Sequence, residues 1–176
     1  MKIVIATPLY PPDIEPTAVY VKELARRLAH IGEEVTVATY GRLPEPIPGV
    51  RIIGVDKRAG LLTRLINFRH ALNKAAQDAD VVYIENGPSV ELPVALSSFR
   101  GKIILHLGDP AAHAYAQKKF LRGLIEGRVA KRARSVISDS PLIKPEILPF
   151  APAPDMAPYE ASWSEHLGDL MHVFTT

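Results

Sequence analysis

Cysteine is absent from this 176-residue chain, which removes disulfides, thiolate metal sites and cysteine nucleophiles together. That lack suits a reducing cytoplasm. No apolar run approaches the ~20 residues a membrane span needs. The opening MKIVIATPLYPP has one lysine and a short apolar run that reads as a strand, so a signal peptide is not expected. Aromatics make up only 7% of the residues, and with no recognised binding motif present, nucleic acid is not an expected partner. The net charge of +2 is too small to argue otherwise. Neither G-x-G-x-x-G nor G-x-x-x-x-G-K-[ST] follows any strand-like run, which weakens the case for an unrelated nucleotide-binding Rossmann protein. No internal repeat is visible, and no cofactor or metal site is expected.

What is present is an ordinary globular balance, 47% hydrophobic and 23% charged, at a length that fits one sizeable core. Lys2 to Ala6 is a β-branched run ended by Pro8, Pro11 and Pro12, a buried strand followed by a loop. Thr17 is placed to cap a helix whose Val21, Leu24, Ala25 and Leu28 sit at i, i+3, i+4 and i+7. Gly32 stops it. Further strands are expected at Glu34–Thr39, Val50–Val55, Asp80–Glu85, Lys102–Leu107 and Ser135–Ser138, with helices over Leu61–Ala76, Val90–Ser98 and a long basic Ala111–Arg132.

Such alternation implies βαβ units around a parallel sheet. The expected fold is α/β, a single doubly wound Rossmann-like domain over residues 1–140 with about six mainly parallel strands. Prolines 141, 145, 149, 152, 154 and 158 make residues 141–161 an extended strap. Ser162 and Glu165 then offer a capping box, and Trp163, Leu167, Leu170, Met171 and Phe174 an apolar stripe. A C-terminal helix over 162–176, docked on the domain, is expected, with Glu165, His166 and Asp169 largely outside its stripe.

Several stretches carry a family resemblance. ATPLYPPDIEPTAVYVKELARRLAHIGEEVTVATYG resembles the first β-α-β of family 4 glycosyltransferases, which have the two-Rossmann-domain GT-B fold. ADVVYIENGPSVELPVAL resembles that family's fourth strand and loop, and GKIILHLGDP the fifth strand in the branch that ends it with Gly-Asp. EILPFAPAPDMAPY resembles a worn lead into the second domain, and EASWSEHLGDLMHVFTT the terminal helix that returns to the first. The resemblance implies the N-terminal, acceptor-side half of a nucleotide-sugar glycosyltransferase with its returning helix, without the donor-binding domain. It also implies a protein incomplete as an enzyme alone. The alternative is a non-catalytic binding or scaffold module derived from that fold.

Departures fall in the loops. Glu15 and Pro16 stand where the family has Gly-Gly, whose backbone N–H groups approach a diphosphate. Glu91 replaces a small residue, and Ala112 and His113 stand where the related branch has Trp-Glu.

Ligands of such sheets sit beyond the carboxyl ends of the strands. The candidate substrate-binding residues there are Asp13, Glu15, Thr17, Glu85, Asn86 and Ser89. Asp109 is a candidate general base at the end of the fifth strand and equally fits an N-cap. His113 is placed to face the cleft from one turn into the next helix. His106, inside a strand, reads first as a satisfied core histidine and only second as catalytic. Expected partners are a donor-domain protein or a second copy of the chain. An anionic lipid or phosphate-bearing acceptor would meet Arg64, Arg69, Lys74, Lys118, Lys119, Arg122, Arg128, Lys131, Arg132 and Arg134. A plain solvated face explains these charges as well. The expected location is cytoplasmic, peripheral to the inner membrane face.

Overall fold

Strand β1 (Lys2–Ala6) forms the middle of a six-stranded sheet ordered β3-β2-β1-β4-β5-β6. The others are β2 (Glu34–Tyr40), β3 (Val50–Val55), β4 (Val81–Glu85), β5 (Lys102–Leu107) and β6 (Ser135–Ser138). All five pairings are parallel. The computed structural model describes residues 1–108, 118–138 and 157–176. The sheet order reverses at β1, between β2 and β4, so the binding crevice of this fold type opens at the carboxyl ends of β1 and β4.

A parallel sheet is covered on both faces, so its central strands are apolar on both. Ile3 and Ile5 of β1 pack with Tyr83 and Ile104 on one side, whereas Val4 and Ala6 pack with Val82, Ile84 and Leu105 on the other. The first side is covered by α1 (Pro16–His30) and α5 (Ala157–Thr175). The second is covered by α2 (Leu61–Ala75), α3 (Pro88–Ala95) and α4 (Phe120–Arg132).

Helix α1 buries Val21, Leu24, Ala25 and Leu28 completely, the face its spacing predicts. Its start differs from the sequence expectation. Glu15 holds the N-cap position with extended backbone and Pro16 the first helical position, where a missing N–H costs nothing. Thr17 lies inside the helix and does not cap it.

The basic helix expected over Ala111–Arg132 is broken at Lys119. Lys119 is extended, with φ −121° and ψ 110°, and α4 begins only at Phe120. Residues 109–117 lie outside the described residues.

Helix α5 starts at Ala157, before the expected Ser162, so Ser162 cannot be its N-cap. Trp163, Leu170 and Phe174 enter the core shared by α1, β1, β4 and β5. Arg27 of α1 donates two hydrogen bonds of 2.7 and 2.9 Å to the Glu160 carboxylate and lies over the Trp163 ring at 5.1 Å. At the other end Lys102 Nζ donates to the carbonyls of Phe174 and Thr175, at 3.4 and 3.1 Å. Among the described residues no helix is long and apolar enough to cross a membrane.

Candidate functional site

Three connections meet at the carboxyl edge of β1, β4 and β5. The first follows β1. Thr7 is fully buried and its hydroxyl donates to the Leu9 carbonyl at 2.8 Å. Asp13 accepts from Lys57 Nζ at 2.6 and 2.9 Å, tying this loop to the β3–α2 connection. Asp13, an expected substrate contact, is thus paired with an intramolecular cation. Glu15 is exposed at the start of α1, with its carboxylate near the partial positive end of the helix.

The second connection follows β4. Gly87 adopts φ +153°, and a Cβ there would meet Pro8 Cγ at 3.0 Å. Glycine therefore lets the first and second loops seat on each other. Ser89 is half-buried, and its carbonyl accepts from the Tyr40 hydroxyl at 2.6 Å. Asn86 is buried, and its backbone N–H donates to the His106 carbonyl at 2.9 Å.

The third is built on β5. Glu85 and His106 are register partners on adjacent strands and both are buried. His106 Nδ1 lies 2.7 Å from Glu85 Oε1. Among the described residues the other ring nitrogen, Nε2, is buried without a hydrogen-bond partner. Gly108 closes over the pair: a Cβ there would lie 2.7 Å from His106 Cε1 and 2.9 Å from Glu85 Oε2.

Glu85 and Asn86, expected in a polar substrate-binding loop, are both buried.

Beneath the pair runs a buried polar chain. The Tyr20 and Tyr83 hydroxyls are 3.1 Å apart, and Tyr20 Oη lies 2.8 Å from His166 Nε2. Burial pushes both phenols well above their ordinary range, and the Glu85 carboxylate adds to it in each. Burial, then the neighbouring His106, pushes His166 down to about 4. So His166, expected on the polar side of α5, instead faces inward at 6% exposure.

A family model described as a glycosyl transferase 4-like domain matches residues 17–154. The chain belongs to this family. Among solved structures, it is similar to a sucrose-phosphate synthase from Thermosynechococcus elongatus, with a TM-score of 0.60 and 19% identity over 82% of this chain and 44% of that one. A UDP-N-acetylglucosamine 2-epimerase aligns with a TM-score of 0.49 and 14% identity, over 86% of this chain and 46% of that one. The chain therefore spans less than half of either neighbour. At such identity the synthase speaks for the fold, that of one Rossmann-like half of a GT-B glycosyltransferase. No match to a curated protein was found.

Of the catalytic candidates in this glycosyl transferase 4-like domain, Asp109 and His113 lie outside the described residues. His106 is brought against Glu85, away from solvent. Sequence reasoning missed Tyr20, Tyr83 and His166 as parts of the same cluster. One signal was available: in VVYIE, Val81, Tyr83 and Glu85 alternate onto one face of β4.

Proposed function

We propose that the domain forms the acceptor-side wall of a nucleotide-sugar glycosyl transfer site, with the donor held by a partner domain. In that reaction an acceptor hydroxyl oxygen bonds to the anomeric carbon, the nucleoside diphosphate departs, and the hydroxyl proton passes to a base. Asp109, directly after Gly108 in the sequence, is the proposed base, and His113 is a second candidate. Ser89 is the proposed contact for sugar hydroxyls. Glu85, Asn86 and His106 hold the two loops in register. The observation that carries this reading is the Glu85–His106 pair, which locks the ends of β4 and β5 together under Gly108. The basic faces of α2 and α4 suit a phosphate-bearing acceptor or an anionic lipid, and hence a location at a membrane surface.

Titration of isotope-labelled protein followed by NMR tests this. Polyprenyl phosphates or sugar acceptors should shift Gly87, Ser89 and Gly108, and uridine and guanosine diphosphate sugars should not. Micromolar nucleotide-sugar binding to the monomer would sink the division of labour. One observation favours a second reading, a non-catalytic scaffold: Glu15 and Pro16 put a carboxylate and a missing N–H at the start of α1, where a diphosphate needs N–H donors. Silence towards every acceptor, alone and with a donor-domain partner added, would select it.

A further inference from the structure

Large apolar side chains are exposed at one corner of the domain, the β3 edge at the carboxyl end of the sheet. Leu61, Leu62 and Ile66 open α2, at 60%, 75% and 55% exposure, and Leu43 and Ile14 stand out on neighbouring loops at 82% and 79%. Leu62, Ile66 and Arg69 follow at i, i+4 and i+7, so they form one solvent-facing stripe. It is separate from the helix face that buries Phe68 and Leu72.

Contacts between these loops bring them together. Asp13, beside Ile14, is held by Lys57. Arg58, and more weakly Arg42, hold the exposed Asp56 carboxyl below its ordinary range, which places Arg42, beside Leu43, at the same corner. Gly41 and Pro44 lie against Gly54 near the end of β3.

The charges at this corner are of one excess sign. Asp13 and Asp56 are taken up by Lys57 and Arg58, and the exposed Glu15 beside Ile14 is set against the exposed Arg42 and Arg69, so cations remain in excess. Single aliphatic side chains on loop tips and a helix start, interleaved with arginines, do not make the flat apolar surface of a protein interface. They match the interface of an anionic bilayer, where aliphatic groups enter the acyl boundary and cations meet headgroup phosphates.

We propose that this corner docks the protein on an anionic membrane surface, with Leu62 and Ile66 inserted and Arg42 and Arg69 on the headgroups. The proposal deepens the acceptor-side reading and rests on it only in one respect, that the acceptor would be carried by the same membrane. Tyr40 joins the two places: its ring lies 5.7 Å under the Arg64 guanidinium of α2, and its hydroxyl holds the Ser89 carbonyl of the site loop. A docked α2 thus sets the site loops beside the lipid headgroups.

The test is co-sedimentation of the full chain with vesicles of mixed phosphatidylcholine and phosphatidylglycerol, and with phosphatidylcholine alone. Binding is expected to the mixed vesicles, falling steeply as salt is raised. Leu62→Ser and Ile66→Ser should each weaken it about tenfold, and Arg69→Glu should weaken it and flatten its salt dependence. Each variant should keep the parent melting temperature, since these side chains are exposed. Leu96→Ser, exposed at 57% where α3 ends on the amino edge of the sheet, should bind as the parent does. No binding to mixed vesicles overturns the proposal. So does equal loss in Leu96→Ser, or self-association through Leu62 and Ile66 in place of vesicle binding. Vesicle binding and the acceptor titration are read separately, so either can fail while the other stands.

Discussion

Tyr20 Oη and His166 Nε2 lie 2.8 Å apart, joining helices α1 and α5 across 146 residues of sequence. The bond fills a polar position within the buried part of that interface, with Trp163 stacked on the Tyr20 ring at 5.6 Å. A buried hydroxyl and a buried imidazole each lose water on docking, so each needs the other.

This makes the domain's stability depend on pH. Unfolded, His166 takes up a proton near 6.5. Folded, burial and His106 hold it neutral down to about 4. Between those values the unfolded chain binds more protons, so the contribution is complete above 6.5 and lost as pH falls towards 4, on the order of 2–3 kcal/mol. Urea unfolding at a series of pH values should show the decline. His166→Gln, which keeps a partner for Tyr20 but cannot titrate, should be flatter over the same window. An equal slope in both proteins would assign the effect to other groups.

Trp163→Ala should cost about 3–5 kcal/mol, the usual consequence of emptying a large core site. Trp163 is 2% exposed and touches Tyr20, Tyr159 and His166. Denaturant midpoints measure the loss. A value under about 1 kcal/mol would mean that the helix is not held by its apolar face.

Glu160→Ala should be mild by comparison. Its carboxylate pairs with Arg27 in good geometry but is half exposed, at 52%, and such pairs contribute about 0.2–1 kcal/mol. The contrast between the two variants separates packing from charge in the docking of α5. If Glu160→Ala proved the costlier change, that ranking would be wrong.

Gly108→Ala should be destabilising by about 1–3 kcal/mol, as overpacking of a tight site is. The new methyl would meet His106 and Glu85 well inside contact distance. The imidazole resonances of His106 should move, while those of His166 change less. An unchanged His106 spectrum at parent stability would show that the β5 end has room to spare.

The doubly wound sheet was legible because its signals are local. Short β-branched runs alternate with helical spacing, and the buried side of α1 follows from the spacing of Val21, Leu24, Ala25 and Leu28 alone. The start of α5 was not. Pro158 reads as part of an extended strap, yet it stands in the first turn of the helix, where no N–H is needed. His166 was misplaced because its inward position depends on a hydroxyl supplied by α1, and no periodicity within α5 contains that information. The burial of Glu85 and Asn86 was hidden for the same reason. A Glu-Asn-Gly-Pro run looks like a turn, and only the pairing of Glu85 with His106 on the next strand turns its first carboxylate inward.

Lys102 closes the end of α5 at the start of β5, on the amino edge of the sheet, whereas the candidate site lies on the carboxyl edge. An affinity tag, fluorophore or fused protein joined after Thr176 would therefore emerge on the far side of the domain from the crevice. Immobilising the chain by that end leaves the crevice facing the bulk solution, and a surface-plasmon or single-molecule measurement of acceptor binding can be built in that orientation without obstructing the groups it is meant to probe.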